Sequence, residues 1–249
     1  MQTKTSTTIG FIGLGLIGGS IAKAIRQYYP DYQILAFDKS RETLALAMQD
    51  GTIDISCTAI DEQFSHCSYL FLCAPISYNN AYLSQLKDLI HPDCILTDVG
   101  SVKTAIHEEI TRLGLDANFI GGHPMAGSEK SGFANSKAHL IENAYYILTP
   151  SDKVSSEKLE DYRCFVQSLK ALPIVLDYRL HDTVTGTLQD RSKRFLPCTV
   201  TLSMKLEESR PLPRFWRAIT SALKILESFI TGNLKKGYCA SNFTKRTPL

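Results

Sequence analysis

Two short polar stretches of the chain contain the side chains best suited to proton transfer. One is Gly121–Gly132, in which glycine and other small residues surround a single histidine, His123; the other is Asp98–Lys103, which contains Ser101. A histidine in a mobile loop can meet a ligand, and its pKa suits proton transfer near neutral pH. Taken alone, such a histidine more often stabilises its loop, and Ser101 is also suited to be the N-cap of a following helix.

A glycine pattern near the start of the chain indicates what binds beside these residues. The apolar run Ile9–Ile12 leads into Gly-x-Gly-x-x-Gly, and apolar residues at helical spacing follow. Strand, glycine turn and helix in this order form a dinucleotide-binding fingerprint, in which Gly13 allows a tight turn, Gly15 lets the backbone approach a pyrophosphate and Gly18 lets the helix pack on the strand. The phosphates should lie at the helix N-terminus. The expected cofactor contacts in this loop are Gly13, Leu14, Gly15, Leu16, Ile17 and Gly18.

The residue that ends the next strand predicts which cofactor binds. Strand Gln33–Phe37 ends at Asp38, about 20 residues after the last glycine of the pattern. A carboxylate there meets the adenosine ribose hydroxyls and repels a 2′-phosphate, so Asp38 favours NAD over NADP. Lys39 and Arg41 weaken this preference, and an ordinary surface aspartate after a strand is the alternative interpretation.

Strands and helices alternate through the part of the chain that must position these residues. Apolar runs predict further strands at 69–74, 94–98, 144–148 and 174–177, and helical periodicity predicts helices at 41–49, 78–90, 105–113 and 157–172. The alternation predicts an α/β fold with a Rossmann-like, doubly wound, mostly parallel sheet in a dinucleotide-binding domain over residues 1–178.

Ligands bind such sheets at the carboxyl ends of the strands. We therefore expect Ala74 and Pro75 beside the glycine loop, at the nicotinamide side of the cofactor, and Ser101 and His123 in loops at the same edge. Removal of a hydride from a carbon that bears a hydroxyl requires loss of the hydroxyl proton, and His123 is a suitable acceptor. Ser101 could bind the same hydroxyl or orient the imidazole.

Composition argues against several other classes of protein. No run of 18 apolar residues predicts a transmembrane helix, and Met1–Thr8 does not have the pattern of a signal peptide. The seven cysteines are odd in number, contain no CxxC pair and lie partly in apolar strand-like runs. They are interpreted as reduced core residues of a cytoplasmic protein. No disulfide framework, metal site or membrane association is expected.

Three segments together resemble the prephenate dehydrogenases of the TyrA family. They are the glycine loop Gly13–Ser20, the segment Thr97–Lys103, and Gly121–Gly132, which reads Gly-Gly-His-Pro-Met-Ala-Gly-Ser-Glu-Lys-Ser-Gly. Their order and spacing match the family over residues 8 to about 187, and the third segment is the most diagnostic. The β-hydroxyacid dehydrogenases share the glycine loop but lack this third segment.

The resemblance implies an NAD-dependent enzyme that converts prephenate to 4-hydroxyphenylpyruvate on the route to tyrosine. His123 would accept the proton of the C4 hydroxyl, a hydride would pass to NAD⁺, and the ring carboxylate would leave as CO₂. Carried over by position, Ser101 would bind the same hydroxyl and the nicotinamide region, while the glycine loop and Asp38 would hold the cofactor. The sequence does not separate prephenate from arogenate as the substrate.

The resemblance ends where the charge of the chain changes sign. Residues 1–183 carry 15 basic and 21 acidic side chains, whereas residues 184–249 carry 12 and 4. Arg179–Thr187 matches the start of the family's helical second domain, and His181 and Asp182 within it are either ligands or a hydrogen-bonding pair at a helix start. The later family segments that supply a substrate-binding His and Arg are not found. Residues 179–249 are therefore interpreted as a short, truncated or divergent remnant of the domain that forms the family's homodimer. Within it, roughly the last sixty residues, after about residue 187, are interpreted as the product of a reading-frame shift or as a replacement domain.

Two alternatives to an active dehydrogenase stay open. One is a chain of the same lineage that binds NAD but has impaired catalysis, because the substrate-binding His and Arg are missing. The other is a nucleotide-binding protein whose basic tail binds nucleic acid. The tail has one amphipathic stretch, Trp216–Ile230, and no recognisable nucleic-acid motif, which favours a poorly ordered segment.

Overall fold

The described residues form two sheets, the first of which is parallel and carries the glycine loop. The structure, a computed structural model, describes residues 7–183 and 185. Five parallel strands lie in the order β3-β2-β1-β4-β5. Their bounds are β1 Thr8–Ile12, β2 Gln33–Phe37, β3 Ile55–Cys57, β4 Tyr69–Leu72 and β5 Ile95–Asp98. The strand order reverses between β1 and β4, which is the switch point of a doubly wound sheet. The predicted α/β fold is thereby confirmed.

The second sheet continues from β5 and departs from the parallel pattern. It contains β6 Ile120–Pro124, β7 Tyr145–Pro150 and β8 Leu172–Val175 in that order. β6 pairs antiparallel with β7, and β7 pairs parallel with β8. One parallel bridge between Leu96 and Phe119 joins the two sheets, so β6 runs in the direction of β5. The carboxyl ends of β5 and β6 therefore lie at the same edge as the glycine loop.

Five α-helices between residues 7 and 175 pack against the sheets, and their ends follow local chemistry. Their bounds are α1 Leu16–Tyr28, α2 Arg41–Gln49, α3 Ile76–Leu86, α4 Thr104–Leu113 and α5 Ser156–Ser168. The Ser40 hydroxyl caps α2 by accepting a hydrogen bond from the backbone N–H of Thr43 at 3.1 Å. Gly114 ends α4 with a φ of +75°, the left-handed conformation typical of a helix C-terminus. None of the described helices combines the length and the hydropathy that crossing a lipid bilayer requires.

Alternate residues of the central strands pack into two apolar clusters, one on each face of the sheet. Phe11 of β1 and Phe71 of β4 belong to one cluster, whereas Ile12 and Leu72 belong to the other. The rings of Phe11 and Phe71 are paired in register and stack with centroids 4.9 Å apart. Burial on both faces explains why these strands read as continuous apolar runs.

A short helical segment, residues 178–183, follows the last strand and is anchored on α4. Asp177 caps this segment, because its Oδ1 accepts hydrogen bonds from the backbone N–H groups of Arg179 and Leu180. The ring of Tyr178 stacks on that of His107 in α4, with centroids 4.2 Å apart. The rest of the predicted remnant 179–249, including the stretch Trp216–Ile230, lies outside the described residues.

Candidate active site

The glycine loop between β1 and α1 combines tight packing with open space. Gly13 has a φ of +97°, and a Cβ there would lie 2.8 Å from the backbone nitrogen of Ala74. A Cβ on Gly18 would lie 2.7 Å from the carbonyl oxygen of Gly13 and 2.8 Å from the Cβ of Cys73. The structure thus requires glycine at both positions for the turn and for the contact of α1 with the end of β4, as expected. A Cβ on Gly15 would meet no atom of the described residues within 4 Å other than those of its chain neighbours, so this residue faces a space that a ligand can fill.

The start of α1 offers backbone N–H groups at the edge of this space. The helix begins at Leu16, with Gly15 as an N-cap that has no side chain, and no acidic residue lies in its first turn. The first N–H groups of an α-helix have no partner inside the helix, so this end suits a phosphate. Leu16 and Ile17 are partly exposed here, whereas Leu14 is buried in the core.

Asp38 joins the glycine loop to the turn that follows β2. Its Oδ2 accepts a hydrogen bond of 2.8 Å from the backbone N–H of Leu14, and its Oδ1 accepts one of 2.8 Å from Ser40. A carboxylate has about four acceptor sites, so both oxygens can still accept hydrogen bonds from ribose hydroxyls. The glycine loop, the start of α1 and Asp38 together fit the pyrophosphate and ribose of a dinucleotide.

His123 lies in a strand, which corrects the expectation of a mobile loop. The residue is the fourth of β6, where it pairs with Ile147 of β7, and its side chain is partly buried. Its Nδ1 lies 2.9 Å from Nε2 of His181. Nδ1 of His181 lies 2.7 Å from Oδ1 of Asp182. Two imidazoles and a carboxylate therefore form one hydrogen-bonded chain.

The carboxylate of Asp182 also caps helix α4, which corrects the expectation that Ser101 caps it. Asp182 accepts hydrogen bonds from the backbone N–H groups of Lys103 and Thr104, at 2.8 and 2.7 Å, and from the Thr104 hydroxyl at 2.6 Å. The helix begins at Thr104, three residues beyond Ser101. Ser101 is partly exposed, and its hydroxyl makes no hydrogen bond within the described part of the chain. The cap thus comes from a residue 78 positions away.

A buried ion pair lies behind His123 at the end of β5. The ammonium of Lys103 binds Oδ2 of Asp98, and both side chains are almost completely closed to solvent. Asp98 also accepts hydrogen bonds from the backbone N–H groups of Gly100, at 2.9 Å, and Gly122, at 3.1 Å. Because Gly122 precedes His123 in β6, this pair fixes the position of the histidine backbone.

Burial keeps His123 and His181 neutral near pH 7. Burial, together with the nearby His181 and Lys103, lowers the pKa of His123 to about 3, against the opposing charge of Asp182. Burial also lowers the pKa of His181, against the hydrogen bond to Asp182. Burial alone would raise the pKa of Asp182, but the hydrogen bonds from Thr104, His181 and Lys103 outweigh it and lower that pKa to about 2. The hydrogen-bonded series His123–His181–Asp182 therefore consists of two neutral imidazoles and an ionised carboxylate.

Comparison of the sequence with known proteins shows which family the chain belongs to. The family model described as "Prephenate dehydrogenase, nucleotide-binding domain" matches residues 21–175. The chain belongs to the prephenate dehydrogenase family. It is 35% identical over 189 residues to the prephenate dehydrogenase of Bacillus subtilis, a match that covers 75% of this chain and 51% of that protein. It is 40% identical over 178 residues to the enzyme of Lactococcus lactis, covering 70% of this chain and 48% of that protein. The chain thus spans about half the length of the curated relatives that it matches.

Solved structures of the same family show the same fold. The prephenate dehydrogenase from Aquifex aeolicus, crystallised with hydroxyphenyl propionate and NAD⁺, is 26% identical and has a TM-score of 0.68, covering 94% of this chain and 89% of that one. The arogenate dehydrogenase from Synechocystis is 25% identical and has a TM-score of 0.66, covering 92% of this chain and 91% of that one. Like these proteins, the chain has a nucleotide-binding domain with a Rossmann-like sheet. The comparisons do not favour the alternative of a nucleotide-binding protein whose basic tail binds nucleic acid.

The structure brings together some of the predicted site residues and adds others. The glycine loop, Asp38 and the backbone of Ala74 meet at one edge, while Pro75 is exposed and begins α3 as its N-cap. Ser101 does not share a hydrogen bond with His123. Lys103 and Asp98 were not expected as part of the site, although both lie inside the segment Thr97–Lys103 on which the family resemblance rests.

Proposed function

We propose that this protein catalyses the NAD-dependent oxidative decarboxylation of prephenate to 4-hydroxyphenylpyruvate. The observation that carries the proposal is His123, a neutral imidazole fixed at the same sheet edge as the glycine loop. Membership of the prephenate dehydrogenase family supports it. So does the Aquifex aeolicus relative, whose structure contains NAD⁺ and hydroxyphenyl propionate.

In this proposal the glycine loop and Asp38 hold NAD⁺. The N-terminus of α1 would bind the pyrophosphate, Gly15 would leave room for it, and Asp38 would accept hydrogen bonds from the ribose. Ala74, Pro75 and Ser101 would lie toward the nicotinamide. When bound, NAD⁺ supplies an acceptor for the hydride that the substrate carbon loses.

His123 is the proposed general base. Nε2 of the neutral imidazole would accept the proton of the C4 hydroxyl, the ring carboxylate would leave as CO₂, and the ring would become aromatic. General-base assistance of this kind contributes roughly 10²–10⁴-fold to a rate. Ser101, whose hydroxyl has no partner among the described residues, would bind the same substrate hydroxyl. Arogenate, which carries an amino acid side chain in place of the pyruvyl group, is the alternative substrate of the same chemistry.

The proposal includes the cellular context expected from the sequence. The five cysteines among the described residues are free thiols, and three of them are buried. Such thiols are typical of a reducing compartment, which supports a cytoplasmic location. The family resemblance also implies a homodimer, formed in the family by the helical second domain whose start Arg179–Thr187 resembles.

The deciding experiment measures NADH formation by the full chain with NAD⁺ and either prephenate or arogenate, beside calorimetric titrations of NAD⁺. Turnover with either substrate supports the proposal and names the substrate. NAD⁺ binding without turnover refutes dehydrogenase activity and supports the impaired lineage, whereas failure to bind NAD⁺ refutes the cofactor assignment. The variant His123→Asn should lose about 10²-fold or more of kcat and keep its NAD⁺ affinity. Loss of NAD⁺ binding in this variant would make His123 structural.

A further inference from the structure

The hydrogen-bonded chain from His123 to Asp182 fixes the direction in which each proton points. We propose that His181 and Asp182 are positioning residues for His123: they hold the tautomer in which Nε2 carries the lone pair, and they receive positive charge when Nε2 takes up a proton. This inference deepens the proposed function and rests on it, because it assigns a role to two residues behind the proposed base.

The tautomers follow from the carboxylate end of the chain. An ionised carboxylate only accepts hydrogen bonds, so Nδ1 of His181, 2.7 Å from Asp182, must be the donor. In a neutral imidazole the other nitrogen then carries the lone pair, so Nε2 of His181 accepts. Nδ1 of His123, 2.9 Å away, must therefore donate to it. The lone pair of His123 is left on Nε2, the nitrogen that faces away from this chain.

Helix α4 holds the carboxylate end in place. Asp182 accepts two backbone N–H bonds and one hydroxyl bond at the start of α4, in addition to the bond from His181. The partial positive charge of a helix N-terminus favours the ionised carboxylate. His181 itself is fully buried, so its ring is packed as well as hydrogen-bonded. The tautomer of His123 is thus set by a rigid element rather than by solvent.

His181, the middle member of the hydrogen-bonded series, can accept a proton from His123 after His123 has taken up the substrate proton. When Nε2 of His123 binds the substrate proton, the N–H bond at Nδ1 of His123 can break and an N–H bond at Nε2 of His181 can form. His123 is then neutral again, and His181 is an imidazolium beside the carboxylate of Asp182. No proton is gained or lost beyond the one taken from the substrate, and no electron is transferred.

The surrounding charges favour a positive charge on His181 over one on His123. The charged groups that act on the two histidines are Lys103, Asp98 and Asp182. Lys103 opposes a positive charge on either histidine, although its ammonium is paired with Asp98. Asp182 touches His181 and not His123, so a positive charge is better placed on His181.

Two-dimensional ¹H–¹⁵N NMR of the imidazole nitrogens tests the tautomer directly in the full chain with NAD⁺ and without substrate. We expect His123 to show a protonated Nδ1 and an unprotonated Nε2. In His181→Leu the acceptor for Nδ1 is lost, and we expect His123 to populate both tautomers. A protonated Nε2 in the unmodified protein, or an unchanged His123 spectrum in His181→Leu, would overturn the proposal.

The kinetics of two His181 variants test whether His181 positions His123 for proton transfer or only supports the local structure. His181→Gln keeps an oxygen that can accept from Nδ1 of His123 but cannot take its proton, whereas His181→Leu removes both functions. We expect kcat to fall about 10-fold in the first and about 10²-fold or more in the second, with KM nearly unchanged. We also expect the pH dependence of kcat to shift in both, because the acceptor of positive charge is gone. Equal losses without a change in pH profile would indicate structural support alone.

Asp177→Ala provides the matched control and keeps the two proposals distinguishable. Asp177 caps the helical segment 178–183, which contains His181, but takes no part in the histidine chain. This variant should lower thermal stability and leave the His123 tautomer and the pH profile of kcat unchanged. If the NMR result holds and neither prephenate nor arogenate is turned over, the proposed function fails while the tautomer assignment stands. If turnover occurs with the wrong tautomer, only the present proposal fails.

Discussion

Lys103 and Asp98 form an ion pair closed to solvent, with side-chain exposures of 0% and 2%. Asp98 lies at the end of β5, and Lys103 immediately precedes α4. The carboxylate also accepts hydrogen bonds from the backbone N–H groups of Gly100 and Gly122. The pair thus links the ends of β5 and β6 with the start of α4, directly behind His123.

Replacement of this lysine should be strongly destabilising. Lys103→Met removes the ammonium and leaves the Asp98 carboxylate buried without its counter-charge, which costs about 3–5 kcal/mol in comparable buried pairs. Urea unfolding measures the effect. The control is Arg179→Met, which breaks the pair with Asp177 at 3.9 Å, in which both side chains are exposed, and should cost less than about 1 kcal/mol. Similar losses in the two variants would contradict a structural role for the buried pair.

The sequence reveals the first half of the site because its signals are local. Strand, glycine turn and helix follow one another between Thr8 and Tyr28, and each depends on neighbouring residues. The strand that ends at Asp38 is continuous and apolar. The predicted bounds of β2 and α2 are therefore those of the structure.

The second half of the site depends on contacts between distant residues. Gly121, Gly122 and Pro124 are typical of a turn, yet this segment is a strand because β7, some 25 residues later, pairs with it. Lysine in a polar stretch is typical of a surface, so the burial of Lys103 has no local signal. The cap on α4 comes from Asp182, which local patterns around Ser101 cannot predict.

Two substitutions in the glycine loop should have separate effects, one on stability and the other on cofactor binding. Gly18→Ala places a Cβ 2.7 Å from the carbonyl oxygen of Gly13, and overpacking of this kind costs about 1–3 kcal/mol. The Cβ of Gly15→Ala would contact none of the described residues other than its chain neighbours, so this variant should change stability by less than about 1 kcal/mol while weakening NAD⁺ binding. Thermal unfolding and calorimetry measure the two effects. Unchanged NAD⁺ affinity in Gly15→Ala would place the cofactor elsewhere.

Asp38 should determine the choice of cofactor. Its carboxylate, fixed by Leu14 and Ser40, would bind ribose hydroxyls and repel a 2′-phosphate. Asp38→Ala should weaken NAD⁺ by about 10-fold or more and NADP⁺ much less, since one charge-assisted hydrogen bond contributes about 1.5–3 kcal/mol. Calorimetric titration of both cofactors tests this. An equal loss for NAD⁺ and NADP⁺ would refute the assignment.

The pH dependence of the proposed reaction should reflect the burial of His123. A histidine whose pKa is lowered stays in its basic form to lower pH, and the pKa of His123 is lowered to about 3. We therefore expect kcat/KM with prephenate to show no acid limb near pH 6.5, the ordinary histidine value. Lys103 contributes to this lowering, so an active Lys103→Met variant should show its acid limb at higher pH than the unmodified protein. An acid limb near pH 6.5 in the unmodified protein would mean that His123 is more hydrated than its packing indicates.

The cap that Asp182 places on α4 should contribute to stability only above acidic pH. The pKa of Asp182 is lowered from 3.8 to about 2, because the hydrogen bonds to its carboxylate outweigh the cost of burial. A lowered pKa in the folded state means that the contribution is present above pH 3.8 and is lost as the pH falls toward 2. Asp182→Ala should therefore be less stable than the unmodified protein by about 0.5–2 kcal/mol at pH 6, as for other lost helix caps. Urea unfolding at several pH values should show this difference shrinking between pH 4 and 2. A difference that stays constant over that range would mean that the stabilisation does not depend on the ionised carboxylate.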